Sequence, residues 1–265
     1  GHCTGYSTIR CEKWKEGCYE CPQYHIYPQS KVDRSKHLYK LKKKWFTGVT
    51  SLTIVSQTKY MRGFINQSFL KDYPVKVLYN GVDLEKFRPT DSDFKSRYNV
   101  NDKFLVLGVA SDWSDRKGLD VMIELSKRLD ERFQIVIVGL NKLENAEKII
   151  TIPAQNPDEL CKIYTACDVF ANPTREDTFA NVNLEALACG VPVVMFNTDG
   201  TPEGLDETCG VVVDKNDIDS MQRQIENVCI NKPFTKENCL KRAEFFDKEK
   251  RTLEYVKLFE EIAKD

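Results

Sequence analysis

No apolar run in the 265 residues reaches the roughly 18 that a membrane-spanning helix needs, which excludes a helical membrane span. A large charge of one sign is missing too: 39 Lys and Arg stand against 40 Asp and Glu, a net charge of -1. That balance argues against nucleic acid as partner, because a phosphate backbone calls for a basic surface. Over most of the chain there is no disulfide-type cysteine spacing. Cys161, Cys167, Cys189, Cys209, Cys229 and Cys239 are scattered. They read as buried thiols in a reducing compartment, hence a cytoplasmic location. No segment of the given residues reads as a secretory leader, and Gly1 runs at once into motif-like residues, so the start is expected to be a cut inside a longer protein.

What is present changes character near residue 72. Residues 1–72 carry 13 Lys and Arg against 5 Asp and Glu, whereas residues 73–265 carry 26 against 35. In the acidic part, short apolar runs at 75–78, 104–109, 134–138, 149–152, 169–171, 192–196 and 211–213 predict strands. Amphipathic segments at 119–129, 157–166, 183–188 and 218–229 predict the helices between them. Repeated strand–helix units predict an α/β fold with a doubly wound, mainly parallel sheet. Two further helices are expected at 235–246 and 248–263, the last with Leu253, Val256, Phe259 and Ile262 along one face. Residues 1–30 read as a Cys-, Tyr- and Pro-rich loop, followed by helices at 36–46 and 59–69 and a strand at 52–55. Those pieces are too few to enclose a core of their own.

Three segments carry chemistry. Asn80-Gly81-Val82-Asp83 follows the first of these strands and reads as a turn in which Gly81 takes a positive φ, or as a hinge beside a cleft. After the next strand, Arg116 and Lys117 stand where a helix opens, two cations suited to neutralise a diphosphate. The stretch 173–194 reads as a strand end, an acidic loop with Glu176 and Asp177, a helix carrying Glu185, and a Gly-x-Pro turn into a buried strand. Such a crossover aims a helix N-terminus and acids at the carboxyl edge of a parallel sheet, where open α/β sheets bind nucleotides. Glu185 is placed to accept the two vicinal hydroxyls of a ribose, and Asp177 or Glu176 those of a sugar.

These segments, in this order, resemble family-4 retaining glycosyltransferases of GT-B fold. The shared residues are Asn80-Gly81-Val82-Asp83-x3-Phe87-x-Pro89, Lys117-Gly118, the run from Ala166 to Thr174, Leu184 to Val193, and Asp199-Gly200-Thr201-Pro202-Glu203. The resemblance covers about residues 52–265, and the basic, Cys-rich lead-in looks like the branch that builds bacterial capsule, O-antigen or colanic-acid-like polysaccharide. It implies that Arg116 and Lys117 hold the donor diphosphate, that the backbone of Thr178, Phe179, Ala180 and Asn181 approaches phosphate and sugar, and that Glu185 binds the donor ribose. It also implies a UDP- or GDP-sugar donor, a glycan or lipid-linked acceptor, retention at the anomeric carbon and no metal for catalysis. In such enzymes the nucleotide sits on the C-terminal domain and the acceptor on the N-terminal one.

The match has two departures. The first acid of the family's Glu-x7-Glu motif falls on Asp177, with Glu176 one residue further off, and the sequence does not choose between them. Asp112 stands where the family often has an Arg. The expected division is a remnant of the acceptor-side domain at 1–72, the nucleotide-sugar-binding domain at 73–246, and a helix at 247–265 crossing back. Two complete Rossmann-like domains need roughly 350 residues, and the acceptor-side Gly-rich loop and His have no match. The fragment is therefore expected to bind donor without turning over alone. The alternative from another class is a non-catalytic nucleotide-sugar-binding or zinc-stabilised interaction module.

Two features lie outside that site. Cys3, Cys11, Cys18 and Cys21 have the number and closing Cys-x2-Cys spacing of a structural zinc site, with two disulfides or unmodified thiols as alternatives. Lys40, Lys42, Lys43 and Lys44, with Trp45 and Phe46, form either a solvated helix face or a contact for the inner face of an anionic membrane.

Overall fold

The computed structural model describes residues 11–25, 30–143 and 148–264 and divides the chain into two compact units, Gly1–Leu78 and Tyr79–Asp265. In the first unit, helix α1 (Ser35–Thr47) is preceded by Asp33, whose carboxylate accepts from the backbone N–H groups of Ser35 at 2.9 Å and Cys21 at 2.7 Å. Strand β1 (Ile54–Ser56) leads to α2 (Lys59–Ile65), capped by Thr58, whose side chain accepts from Met61 N–H. Strand β2 (Val75–Val77) then pairs in parallel with β1, Ile54 opposite Val75. The run at 75–78, expected to open the larger sheet, belongs to this small one instead, and the division accordingly falls after Leu78, not at the charge change near 72. Trp14, 3% exposed, packs on Phe64 and brings the Cys-rich loop onto α2.

The second unit opens with α3 (Phe94–Arg97), a single turn that anchors buried Phe94. Then β3 (Phe104–Val109), α4 (Leu119–Arg128), β4 (Phe133–Val138), β5 (Ile149–Ile152), α5 (Pro157–Ala166), β6 (Val169–Asn172), α6 (Asn181–Ala188), β7 (Val193–Phe196), β8 (Gly210–Val213) and α7 (Ile218–Asn231) follow. Two helices close the chain, α8 (Lys236–Phe245) and α9 (Lys248–Ile262). The strands form one parallel sheet of order β5-β4-β3-β6-β7-β8.

Both faces of this sheet are covered, so its strands carry consecutive apolar residues, as at 105–107 and 193–196, and not only alternate ones. Leu105, Leu107, Phe170, Val193 and Met195 face a core shared with buried residues of α5, α6 and α8. Their neighbours Val106, Ala171, Val194 and Phe196 face a second core with α4 and α7. Helix starts are fixed locally. Asn156 caps α5 by accepting from Glu159 N–H at 3.0 Å with Pro157 at the first position, Asp217 caps α7 and Thr235 caps α8.

Gly81 departs from expectation. It is not among the residues with positive φ; it is needed because a Cβ there would lie 2.4 Å from Lys248 Cα. The close approach is made by two backbone bonds, Val82 N–H to Phe246 O and Lys248 N–H to Val82 O, which tie the segment after Tyr79 to the α8–α9 junction.

Candidate nucleotide-binding site

The sheet reverses its winding between β3 and β6. From β3 the chain moves outward through β4 and β5, and from β6 it moves the other way through β7 and β8. The loops leaving the carboxyl ends of β3 and β6 therefore part, and the crevice between them is where open α/β sheets hold ligands.

Arg116 and Lys117 come to this edge in a 3-10 turn, Asp115–Lys117, and not within α4. Gly118 separates the two with φ of 75°, and a Cβ on it would lie 2.5 Å from Pro173 O, so only glycine lets the turn lie against the β6 loop. Arg175 N–H donates to Arg116 O at 2.8 Å and fastens the same contact. Lys117 Nζ then donates to Asp177 Oδ2 at 2.7 Å, with the side chains 23% and 22% exposed. Asp177 is itself fixed: its Oδ1 accepts from Phe179 N–H at 3.3 Å, and its own N–H donates to Asp199 Oδ2 at 3.2 Å. Of the two acids that the sequence left open, Asp177 makes the ion pair with Lys117.

Helix α6 begins two residues earlier than expected, at Asn181. Its N-cap is Ala180, so no side chain caps it. Its first turn thus presents backbone N–H groups and the positive end of the helix dipole. Phe179 and Ala180 are buried, while Thr178 and Asn181 are exposed. The Phe179 ring is wedged 5.8 Å from Tyr79 and 5.7 Å from Phe246, and Asn80 Nδ2 donates to Asn181 Oδ1 at 3.3 Å.

Glu185 lies one turn into α6. The hydroxyl of Tyr164, a fully buried residue of α5, donates to Glu185 Oε2 at 3.1 Å. Burial pushes the Glu185 carboxyl above the ordinary carboxylate range, and the Tyr164 bond partly opposes that. The phenol is driven well above its ordinary value, first by burial and then by the neighbouring carboxylate, so it serves as a donor.

Beneath the site runs a buried polar network that sequence reading did not reveal. Asn172 Nδ2 donates to Asn183 Oδ1 at 2.7 Å, and Thr174 N–H donates to Asn172 Oδ1 at 3.2 Å. Thr198 Oγ1 donates to Thr174 O at 2.7 Å, and Thr201 Oγ1 to Thr198 O at 2.6 Å. These bonds join the loops after β6 and β7 to α6. The signal for them was only the cluster of small polar residues at strand ends.

The expected zinc ligands lie elsewhere, in the first unit. Cys11, Cys18 and Cys21 line one cavity of about 10 Å³ with Trp14, and Cys3 falls outside the described residues. Among the described residues no three His, Cys, Asp or Glu side chains are grouped as a metal ion would need. Trp45 and Phe46 at the end of α1 are 63% and 47% exposed, beside exposed Lys40, Lys43 and Lys44. Among the described residues no helix is long and apolar enough to cross a membrane.

A doubly wound parallel sheet with a cationic turn, the Lys117–Asp177 ion pair and a helix start without a side-chain cap at its switch point places the chain in the class of open α/β domains that hold ligands at that edge. More specifically, the chain belongs to the Glycosyl transferases group 1 family, which it matches over residues 91–245. Two curated relatives are similar in sequence. The D-inositol 3-phosphate glycosyltransferase of Segniliparus rotundus is 28% identical over 182 residues, covering 61% of this chain and 40% of that protein. The GDP-mannose-dependent alpha-(1-6)-phosphatidylinositol monomannoside mannosyltransferase of Mycolicibacterium smegmatis is 32% identical over 196 residues, covering 64% and 50%. The chain thus spans half or less of either relative's length. Its fold is that of GT-B glycosyltransferases. Sucrose-phosphate synthase of Thermosynechococcus elongatus superposes with a TM-score of 0.74 at 16% identity, covering 90% of this chain and 64% of that one. Anabaena HepE, solved in complex with UDP, gives 0.69 at 16% identity, covering 80% and 64%.

Proposed function

We propose that this chain is the donor-binding part of a retaining glycosyltransferase that moves a sugar from a UDP- or GDP-sugar to a glycan or lipid-linked acceptor. The observation that carries the reading is the meeting of Lys117, Asp177 and the uncapped start of α6 at the β3–β6 crevice. A diphosphate entering there brings at least two negative charges to a lysine already poised against a carboxylate. It takes Lys117 from Asp177, with Arg116 beside it, and receives backbone N–H groups from the first turn of α6. Asp177, released but still tethered through Phe179 and Asp199, turns its carboxylate to the sugar hydroxyls. Glu185 accepts the ribose hydroxyls.

In transfer, the bond between the anomeric carbon and the diphosphate oxygen breaks as the acceptor oxygen bonds to that carbon on the same face. The acceptor proton leaves on the departing phosphate oxygen. Lys117, Arg116 and the helix dipole stabilise the charge that develops on the diphosphate, so the chemistry asks for no metal. A relative whose name specifies GDP-mannose, and a structural neighbour holding UDP, support this donor class. Since the chain spans half or less of those relatives, we assign it donor binding without turnover alone. The basic, aromatic end of α1 suits a contact with an anionic membrane surface that presents a lipid-linked acceptor. Assignment to capsule or related bacterial polysaccharide synthesis rests on the resemblance of the Cys-rich lead-in.

A thermal-shift series with UDP-, GDP- and ADP-sugars tests the reading. A melting-temperature rise confined to one base supports it, and no rise with any of them at millimolar concentration contradicts it.

A further inference from the structure

Arg175 ties together three separate stretches of the larger unit. Its NH1 donates to Asp120 Oδ1 at 2.7 Å and its NH2 to Asp120 Oδ2 at 2.6 Å, a two-pronged pair with the first turn of α4. NH1 also donates to Asp115 O at 2.7 Å, inside the cationic 3-10 turn, and Nε donates to Asn216 Oδ1 at 2.7 Å, in the loop between β8 and α7. The backbone N–H of Arg175 holds Arg116 O. One residue of the β6 loop thus grips the 3-10 turn at two carbonyls, the helix behind it and the loop beyond.

We infer that Arg175 is the positioning residue for the donor diphosphate site: it holds the Arg116–Lys117 turn in place without touching the donor. The inference rests on the reading of Lys117 as the diphosphate lysine. Its physical basis is the planar guanidinium, whose fixed fork serves several acceptors at once, whereas a lysine ammonium supplies the same charge from a single point. The grip matters because the turn has little else to define it. It is three residues long, none of them buried, and it ends at a left-handed glycine. Asn216, at φ of 68°, is likewise a residue in an unusual backbone conformation whose side chain Arg175 engages.

Electrostatics alone predicts the opposite result for one variant, which makes the inference testable. Asp120→Asn removes a negative charge near a site for an anion, so a pure charge effect tightens nucleotide binding. Loss of positioning weakens it. Calorimetric titration of the whole chain with UDP and with GDP, using whichever binds more tightly, is expected to show about tenfold weaker affinity in both Arg175→Lys and Asp120→Asn. In a Lys117→Ala background the further loss from Arg175→Lys is expected to shrink to about threefold or less, because the turn then places only Arg116. Circular dichroism and urea midpoints separate this from unfolding, since the pair is partly exposed and contributes little to stability.

Tighter binding in Asp120→Asn, unchanged binding in Arg175→Lys, or an undiminished loss in the Lys117→Ala background overturns the positioning role. If Lys117→Ala itself leaves affinity unchanged, or the unaltered chain binds neither nucleotide, the donor-site reading fails and this inference with it.

Discussion

Lys117 and Asp177 neutralise each other across 2.7 Å at the point where the donor is expected to put its charge. The carboxylate is thus both a competitor for the lysine and the acid that the sugar would meet. Asp177→Asn keeps the Phe179 bond through its amide oxygen but releases Lys117. Affinity for UDP or GDP is expected to rise about threefold to fivefold by calorimetry, of the order of 1 kcal/mol or less for a partly exposed pair. Unchanged or weaker binding contradicts the competition. Glu185 offers a second handle, through pH. Its folded carboxyl titrates above the ordinary 4.5, so in the window above that value the folded chain holds a proton that the unfolded chain has lost. Stability from this group is fully present below that window and is lost as pH rises through the folded value. Glu185→Gln is therefore expected to flatten the fall in the urea midpoint across this window. An unaltered slope argues that the carboxylate is better solvated than its contact with Tyr164 implies. Burial also sets the cysteines: Cys209 is pushed up to about 11, and Cys229 and Cys239 to about 12. Alkylation of the native chain at neutral pH should spare these three and label them on denaturation.

The site is built where the 3-10 turn, the β6 loop and α6 meet, so the elements can be disturbed without touching a charge. Gly118→Ala forces a Cβ into the left-handed region and to 2.5 Å from Pro173 O. A loss of about 2 kcal/mol in urea unfolding is expected; a change below about 0.5 kcal/mol would mean that the turn shifts freely and does not set the lysine. Much of this architecture was legible in the sequence. The helices at 119–129 and 157–166 and the strands at 104–109 and 149–152 lie where periodicity puts them, because fully buried strands and amphipathic helices write their burial into local composition. Short or long-range features were not legible. Helix α3 is one turn and has no period to read. β2 has the same Val-rich composition as a strand of the large sheet, and only its partner β1 shows otherwise. Arg175 reaches Asp120 and Asn216, 55 and 41 residues away, and no spacing rule connects them. For the acids, the sequence did not choose between Glu176 and Asp177, and only the three-dimensional contact pairs Asp177 with Lys117. The Asn172–Asn183 bond beneath the site and the close approach at Gly81 came from three-dimensional contact alone.

At the scale of the whole molecule, the chain has a small unit, with its Cys-rich loop and basic helix, and a larger unit carrying the proposed donor edge. All of the proposed donor chemistry lies in the larger unit: Arg116, Lys117, Asp177, Glu185 and the start of α6 are local to one sheet edge. The proposed donor site therefore draws all of its named residues from the larger unit, and donor binding is the behaviour to measure on this chain. The most direct measurement is isothermal titration of the chain with UDP and GDP, alongside Lys117→Ala, Glu185→Ala and, as control, Lys257→Ala on the exposed side of α9. The account predicts that one nucleotide binds the unaltered chain and the Lys257 variant alike, and that Lys117→Ala and Glu185→Ala each weaken it about tenfold or more. Equal affinity across all four proteins, or no binding of either nucleotide, would contradict it.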